Sequence, residues 1–294
     1  MPSKELPRFV LDLISSAPQH GEGVHKWMFK LSRCLHAFRT HDEIEEILKV
    51  SLHGCGRNVP IREIHAAIAD SKKCAWVPGT KQEIIYRSAW PAFNQKEYNL
   101  ITHDGLGAYD LWEKSPVRFV DDRAYTEDII DVIFPGNPLL CCGLSNSVFE
   151  TKSRQAWRDT LEQQQFIQPS PCIAEKGLTK DGKESAHCLS NVGPRRFLVV
   201  EQDKGNQDQQ CAVIVHLSKW HKLTLVLSSG GKSLHAWFFV EGQDESHLKK
   251  FMKTAVSLGA DDATWAPVQF VRMPDGIRDN GRRQSVFYFD NELI

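Results

Sequence analysis

The sequence predicts an α+β protein in which a small all-α bundle precedes a sheet covered by helices. Two patterns carry this reading. Through roughly the first 75 residues, apolar side chains recur at three- and four-residue spacing, the period of a helix with one buried face. Over the last 100 residues, short apolar runs bounded by Gly, Pro and Asp alternate with amphipathic stretches, as strands alternate with helices.

In the helical part, ELPRFVLDLISSA places Leu6, Phe9, Val10, Leu13 and Ile14 on one face. VHKWMFKLSRCLHAF does the same with Val24, Trp27, Met28, Leu31, Leu35 and Phe38. Thr40 and Glu43 have capping-box spacing ahead of Ile44, Ile47 and Leu48. Pro60 opens a last helix carrying Ile61, Ile64 and Ile68. Residues 1–76 therefore read as a helical bundle. Residues 77–134, punctuated by Pro, Gly, Asn and Trp, read as a connector with short helices such as TEDIIDVIF.

Residues 135–294 read as the core of the chain. RRFLVVEQD is a strand ending in acids and DQQCAVIVHLSKW a helix. LTLVLSSGGKSLHAWFFVEG is two strands joined at glycines, and DESHLKKFMKTAVSLG is a helix with Gly259 as its C-terminal cap. QFVRMPDG and RQSVFYFD complete the set as two strands joined by a polar turn. The order β-α-β-β-α-β-β is that of a ferredoxin-like, RNA-recognition-motif-like sandwich.

Composition narrows the function. The 294 residues are 41% hydrophobic and 25% charged, values of an ordinary globular protein. No apolar run is long enough for a membrane helix, and the N-terminus lacks a signal-peptide pattern, so a cytoplasmic protein without a membrane partner is expected. The net charge of −1 excludes a strongly basic coat, so any polyanion must be held by local clusters. The eight cysteines include no CxxC pair. His187, Cys188 and Cys172 offer metal-ligand chemistry, but buried free thiols in a reducing compartment are the plainer account.

Chemistry concentrates in the core. Glu201 and Asp203, two apart on a strand, present two carboxylates to one face. Such a pair repels itself unless a cation lies between, and a hard divalent ion such as Mg²⁺ or Mn²⁺ prefers these oxygens. The plainer alternative is a strand end with solvated acids. In LSSGGKSLHAWFF, the backbone of Gly230-Gly231 can approach an anion closely, Ser228, Ser229 and Ser233 add hydroxyls, and Lys232 adds positive charge. Ser233 and His235 share a face by the same alternation that pairs Glu201 with Asp203. The alternative here is an ordinary hairpin with a core histidine.

Taken in order, VVEQD, SGGKSLHAW and FVRMPDGIR resemble three motifs of the archaeo-eukaryotic primase superfamily, in its plasmid and phage primase-polymerase branch. The resemblance implies that Glu201 and Asp203 hold two catalytic divalent ions, Mg²⁺ or Mn²⁺. It implies that Ser229, Gly230, Gly231, Lys232, Ser233 and His235 receive the incoming triphosphate, with Arg272 facing phosphate. A third metal-binding acid belongs to the pattern. Asp275 in MPDG is the position taken for it, with Asp262, Asp279 and Asp290 as alternatives. Arg278, Arg282 and Arg283 form a basic turn suited to nucleic-acid phosphates. The helical region resembles the small helical domain usually attached on the C-terminal side of such primases. The implied partners are a single-stranded DNA template and NTPs or dNTPs, with a replicative helicase able to act only in trans, since the chain carries no helicase motif. The implied activity is that of a DNA primase-polymerase, a template-dependent nucleotidyltransferase serving DNA replication or repair, in a mobile element among other settings. The alternatives are a non-catalytic single-strand-binding or replication-initiation module, and an unrelated phosphate-binding enzyme; SSGGKS lacks the spacing of a P-loop.

Overall fold

A computed structural model describes residues 5–18, 23–56, 58–78, 90–120 and 123–292. The chain divides into two compact units, Met1–Arg87 and Ser88–Ile294.

The first unit holds helices α1 (Arg8–Ser15), α2 (Val24–Leu35), α3 (His41–Ser51) and α4 (Ile61–Lys72). The apolar stripes legible in the sequence form one core, with Val10, Met28, Leu31, Leu35, Ile44, Leu48 and Ile68 buried together. The capping box forms: the Glu43 amide donates to Thr40 Oγ1 at 3.4 Å and the Thr40 amide to Glu43 Oε2 at 2.7 Å. Two otherwise orphaned helix-end donors are thereby satisfied.

The second unit begins with α5 (Gln95–His103), α6 (Ala108–Glu113) and α7 (Thr126–Ile133). Strands β1 (Leu139–Ser145), β2 (Val148–Ser153) and β3 (Phe166–Ile167) follow, then a small hairpin of β4 (Gly177–Leu178) and β5 (Glu184–Ser185). Next come β6 (Phe197–Gln202), α8 (Gln207–Leu217), β7 (Lys222–Ser228), β8 (Leu234–Phe239), α9 (Glu245–Ser257), β9 (Val271–Arg272) and β10 (Val286–Phe289). The result is a mixed α+β unit with two four-stranded antiparallel sheets, ordered β2-β1-β3-β9 and β10-β7-β8-β6.

The second sheet is covered on both faces, which explains its nearly continuous apolar strands. On one face Leu198, Val200, Val226, Ala236 and Phe238 pack with residues of α8 and α9, joined by Tyr98 of α5 and Leu111 of α6. On the other, Phe197, Val199, Leu225, Leu227 and Trp237 meet α7 and the first sheet through Ile130, Leu140, Ile167 and Val271. Alternate residues of β6 and β8 therefore face the gap between the sheets, and Glu201 and His235 fall on that side.

Three features depart from the sequence expectations. The connector helices from α5 onward belong to the second unit and pack on it more fully than the sequence suggests: the Tyr98 hydroxyl donates to the Lys204 carbonyl at 3.1 Å. QFVRMPDG and RQSVFYFD are not partners, because β9 pairs with β3 in the first sheet and β10 with β7 in the second. The ferredoxin-like order would set the last strand beside the first. Here β6 is left at the edge, with an isolated bridge, Gln202 to Ala260, on its outer side.

That bridge follows from a helix end. Gly259, at φ +99°, ends α9 in a left-handed turn. The Ala260 amide reaches the Ala255 carbonyl at 3.1 Å and the Gly259 amide the Val256 carbonyl at 3.0 Å, which together make a Schellman motif. The reversed chain lies along β6, where the Asp261 amide donates to the Glu201 carbonyl at 2.9 Å and Gln202 Nε2 to the Leu258 carbonyl at 2.8 Å.

Candidate active site

The site is built on the ends of β6 and β8. Their register sets Glu201 opposite His235, and β7 sets Leu227 on the other side of the same histidine. Ser233 Oγ lies 3.0 Å from Glu201 Oε1 and 2.9 Å from Ser229 Oγ. Each hydroxyl has one proton, so Ser233 donates to the carboxylate and accepts from Ser229. His235, 3% exposed, aims Nε2 at the same Glu201 oxygen from 3.6 Å, an ion-pair distance too long for a hydrogen bond. Its Nδ1 faces the Arg272 amide at 3.5 Å, which brings β9 of the first sheet against the end of β8.

Burial pushes the Glu201 carboxyl upward. The His235 imidazole, the Ser233 hydroxyl and the Arg272 guanidinium outweigh it and take the group down to about 2. Glu201 is thus a firmly ionised carboxylate in a half-buried place. Asp203, one pleat further along, pairs loosely with the exposed Lys232 at 3.5 Å. Arg272 stacks its guanidinium on the Phe166 ring at 4.5 Å, and burial together with Arg278 lowers its affinity for a proton.

Asp261 is not among the acids that the sequence assigns to a metal. The bridge that sets Gln202 against Ala260 sets Asp261 directly opposite Glu201, on the same face of the strand pair. Its carboxyl is raised first by burial, and then by the charges of Glu201, Asp262 and Asp203, against a bond from the Ala263 amide. Glu201 itself stays ionised through His235, Ser233 and Arg272, so the neighbouring carboxylates act mainly on Asp261. The only sequence signal was Gly259, whose left-handed turn steers the chain back onto β6.

Asp275 is buried at φ +58° with a different occupation. Its Oδ2 accepts the Tyr125 amide at 2.7 Å and lies 3.6 Å from Arg283 Nη1, so it ties loops together. Asp290 pairs with Lys222 at 3.5 Å, Asp279 interacts with Arg272, and Asp262 neighbours Asp261.

The glycine loop and the basic turn meet each other. Arg278 Nη1 donates to the Ser229 carbonyl at 3.0 Å, and Arg282 Nη1 points at the Gly230 carbonyl from 3.4 Å. Arg283 Nη1 donates to the Arg123 carbonyl at 2.8 Å. The three arginines thus each spend one N–H on a protein carbonyl, and Arg282 stays exposed. Gly230, at φ +71°, has no room for a side chain, since a Cβ would meet Arg278 Cδ at 2.9 Å. Gly231 and Lys232 are exposed at the tip. Beneath them lies a second residue unnoticed in the sequence: buried Gln210 donates Nε2 to the Lys232 carbonyl at 3.0 Å and to the Gly205 carbonyl at 3.2 Å.

Seven of the eight cysteines are buried, and Cys74 is exposed. Among the described residues, no group of three or more His, Cys, Asp and Glu side chains is arranged as a ready metal cage, the thiols near His187 included. No helix of the described residues is long and apolar enough to cross a membrane.

No family model matches the chain, and no curated protein matches it. Among solved structures, the polymerase domain of Mycobacterium tuberculosis ligase D, in complex with DNA, is similar at 14% identity and a TM-score of 0.35. That likeness covers 61% of this chain and 80% of the other. A neighbour so distant says nothing of this chain's chemistry, which rests on its own residues.

Proposed function

We propose that this chain is a template-directed nucleotidyltransferase of the primase-polymerase kind, acting on single-stranded DNA with NTPs or dNTPs. One observation carries the reading: Glu201 and Asp203 stand two apart at the end of β6, and the bridge after α9 sets Asp261 opposite Glu201, where burial first and then the charges of Glu201, Asp262 and Asp203 hinder its ionisation. An edge so rich in carboxylate is relieved by a hard cation, and oxygen donors suit Mg²⁺ or Mn²⁺. Glu201, Asp203 and Asp261, in place of Asp275, are the residues that would hold such ions. Bound there, divalent ions supply activation of an attacking hydroxyl and neutralisation of a departing pyrophosphate.

The protein's own groups divide the remaining work. Ser233 and His235 converge on one oxygen of Glu201 and hold that carboxylate in place, which makes them positioning residues. Lys232, exposed at the loop tip, and Arg272, on the facing sheet, are the cations available to orient a triphosphate and offset charge developing on it. Gln210 fixes the backbone from which Lys232 projects.

Incorporation of labelled nucleotide on primed and unprimed single-stranded templates, with Mg²⁺ or Mn²⁺, tests the reading. Wild type should extend, and Glu201→Gln or Asp203→Asn should lose about a hundredfold or more, the loss expected when charge stabilisation is removed. Equal behaviour of wild type and both variants would sink the catalytic assignment.

One observation favours a second reading, a single-strand-binding module without catalysis. Lys232 and His235 already lie against Asp203 and Glu201 and offset part of their charge. That module would bind single strands in a salt-dependent way, indifferent to divalent metal and to Glu201→Gln.

A further inference from the structure

At the opposite end of β7 from the glycine loop, roughly 25 Å away along the strand, a cavity of about 440 Å³ opens to solvent. It is lined by Trp220, His221, Gln243, His247, Lys250, Phe251 and Thr254. The lining holds no carboxylate. Asp244, which interacts with His247, spends its Oδ1 on the amides of Ser246 and His247 as the cap of α9.

Two properties define what would fit. The first is charge. His221 is held toward its neutral form, first by burial and then by the neighbouring charge of His247, so the two imidazoles repel each other when both are charged, and Asp244 beside His247 offsets part of that charge. Lys250, three residues along the same helix from His247, adds an ammonium on the same face. An anion removes the repulsion among these groups, and the imidazoles, ammonium, Gln243 amide and Thr254 hydroxyl together supply donors for several oxygens. The second is a flat apolar wall. Trp220 is 54% exposed and is held by an edge contact with His216 at 5.0 Å; Phe251 meets His221 edge-on at 4.7 Å. Exposed indole is a stacking surface for a planar base, and the volume lies in the range of small-molecule sites.

We propose that this pocket binds a nucleotide unit, with its base on Trp220 and its phosphate among His221, His247 and Lys250. The chemistry is the same whether the unit is a free nucleotide or one residue of a single strand. The proposal stands independently of the acidic site on β6.

The test follows the indole N–H resonance of Trp220 in the full chain, assigned by Trp220→Phe, without divalent metal. The probes are dAMP, inorganic phosphate, deoxyadenosine and a short oligodeoxyadenylate. The expected result is saturable movement of that resonance with dAMP, and weaker binding of phosphate or deoxyadenosine alone. Lys250→Met should weaken dAMP by about tenfold, the worth of one charge-assisted contact. Trp220→Ala, followed by the phosphorus resonance of dAMP and checked for folding by circular dichroism, should weaken it as well. Tighter binding of the oligonucleotide assigns the site to the strand; binding of dAMP alone assigns it to a free nucleotide. The proposal is overturned if no probe binds, if phosphate alone binds as well as dAMP, or if Lys250→Met and Trp220→Ala both leave dAMP binding intact.

Discussion

Glu201→Gln removes one charge and almost no volume, so it isolates what the surroundings do for the carboxylate. In the folded chain the group sits at about 2 rather than its ordinary 4.5, a difference equivalent to about 3 kcal/mol. The side chain is 30% exposed, and solvent screening trims this to about 2 kcal/mol. Because the folded value is depressed, the stabilisation is complete above the unfolded value near 4.5 and is lost as pH falls through about 2. Urea unfolding of the full chain, followed by near-ultraviolet circular dichroism, should show wild type more stable than the variant by about 2 kcal/mol from pH 7 down to pH 5. The gap should narrow below about pH 4.5 and close near pH 2. A glutamine variant as stable as wild type at pH 7, or more stable, would mean that burial wins over His235, Ser233 and Arg272. The electrostatic account of the site would then be wrong.

The other predictions concern how the backbone delivers the site. Gly259→Ala forces a side chain into a left-handed turn and sets its Cβ 2.7 Å from Lys204 Cβ, so it should cost about 1–3 kcal/mol by chemical denaturation and displace Asp261. Gly230→Ala, with φ +71° and Arg278 in the way, should destabilise by a similar amount and loosen the tip that carries Lys232, read as faster hydrogen exchange there. Asp275→Ala strips the Tyr125 amide of its acceptor and should cost about 1–3 kcal/mol, whereas Asp275→Asn keeps an acceptor and should cost less; neither should change Mn²⁺ affinity measured by electron paramagnetic resonance. Thr40→Ala removes half of a capping box and should cost the helical unit about 1 kcal/mol, seen as a lower urea midpoint for that unit.

Much of the second sheet was legible because its signals are local. The i, i+2 acids at Glu201 and Asp203, the glycine pair between apolar strands, and the stripe of α9 all act within a few residues of themselves. What stayed hidden depends on pairing across long stretches of chain. The partnership of β9 with β3 joins dipeptides more than a hundred residues apart, and neither is long enough to show a period. Asp261 lies 60 residues from Glu201 and reaches it only through the turn after α9. Asp275 and the arginines are hard to read from sequence for a related reason. A buried carboxylate and a guanidinium look the same in sequence whether they meet a ligand or the protein's own amides and carbonyls. Here Tyr125, Ser229, Gly230 and Arg123 supplied those partners. Tyr98 and the α5–α6 segment read as a connector because their apolar residues are few, yet those few insert against α8.

The central claim is that β6, β8 and the turn after α9 form a site for template-directed nucleotidyl transfer. Single-nucleotide extension of a primed template, with each of the four template bases in turn and Mn²⁺ present, tests it most directly. The account predicts that the incorporated nucleotide changes with the template base, and that Glu201→Gln and Asp261→Asn both suppress incorporation. Incorporation that ignores the template, or that survives both substitutions unchanged, would contradict it.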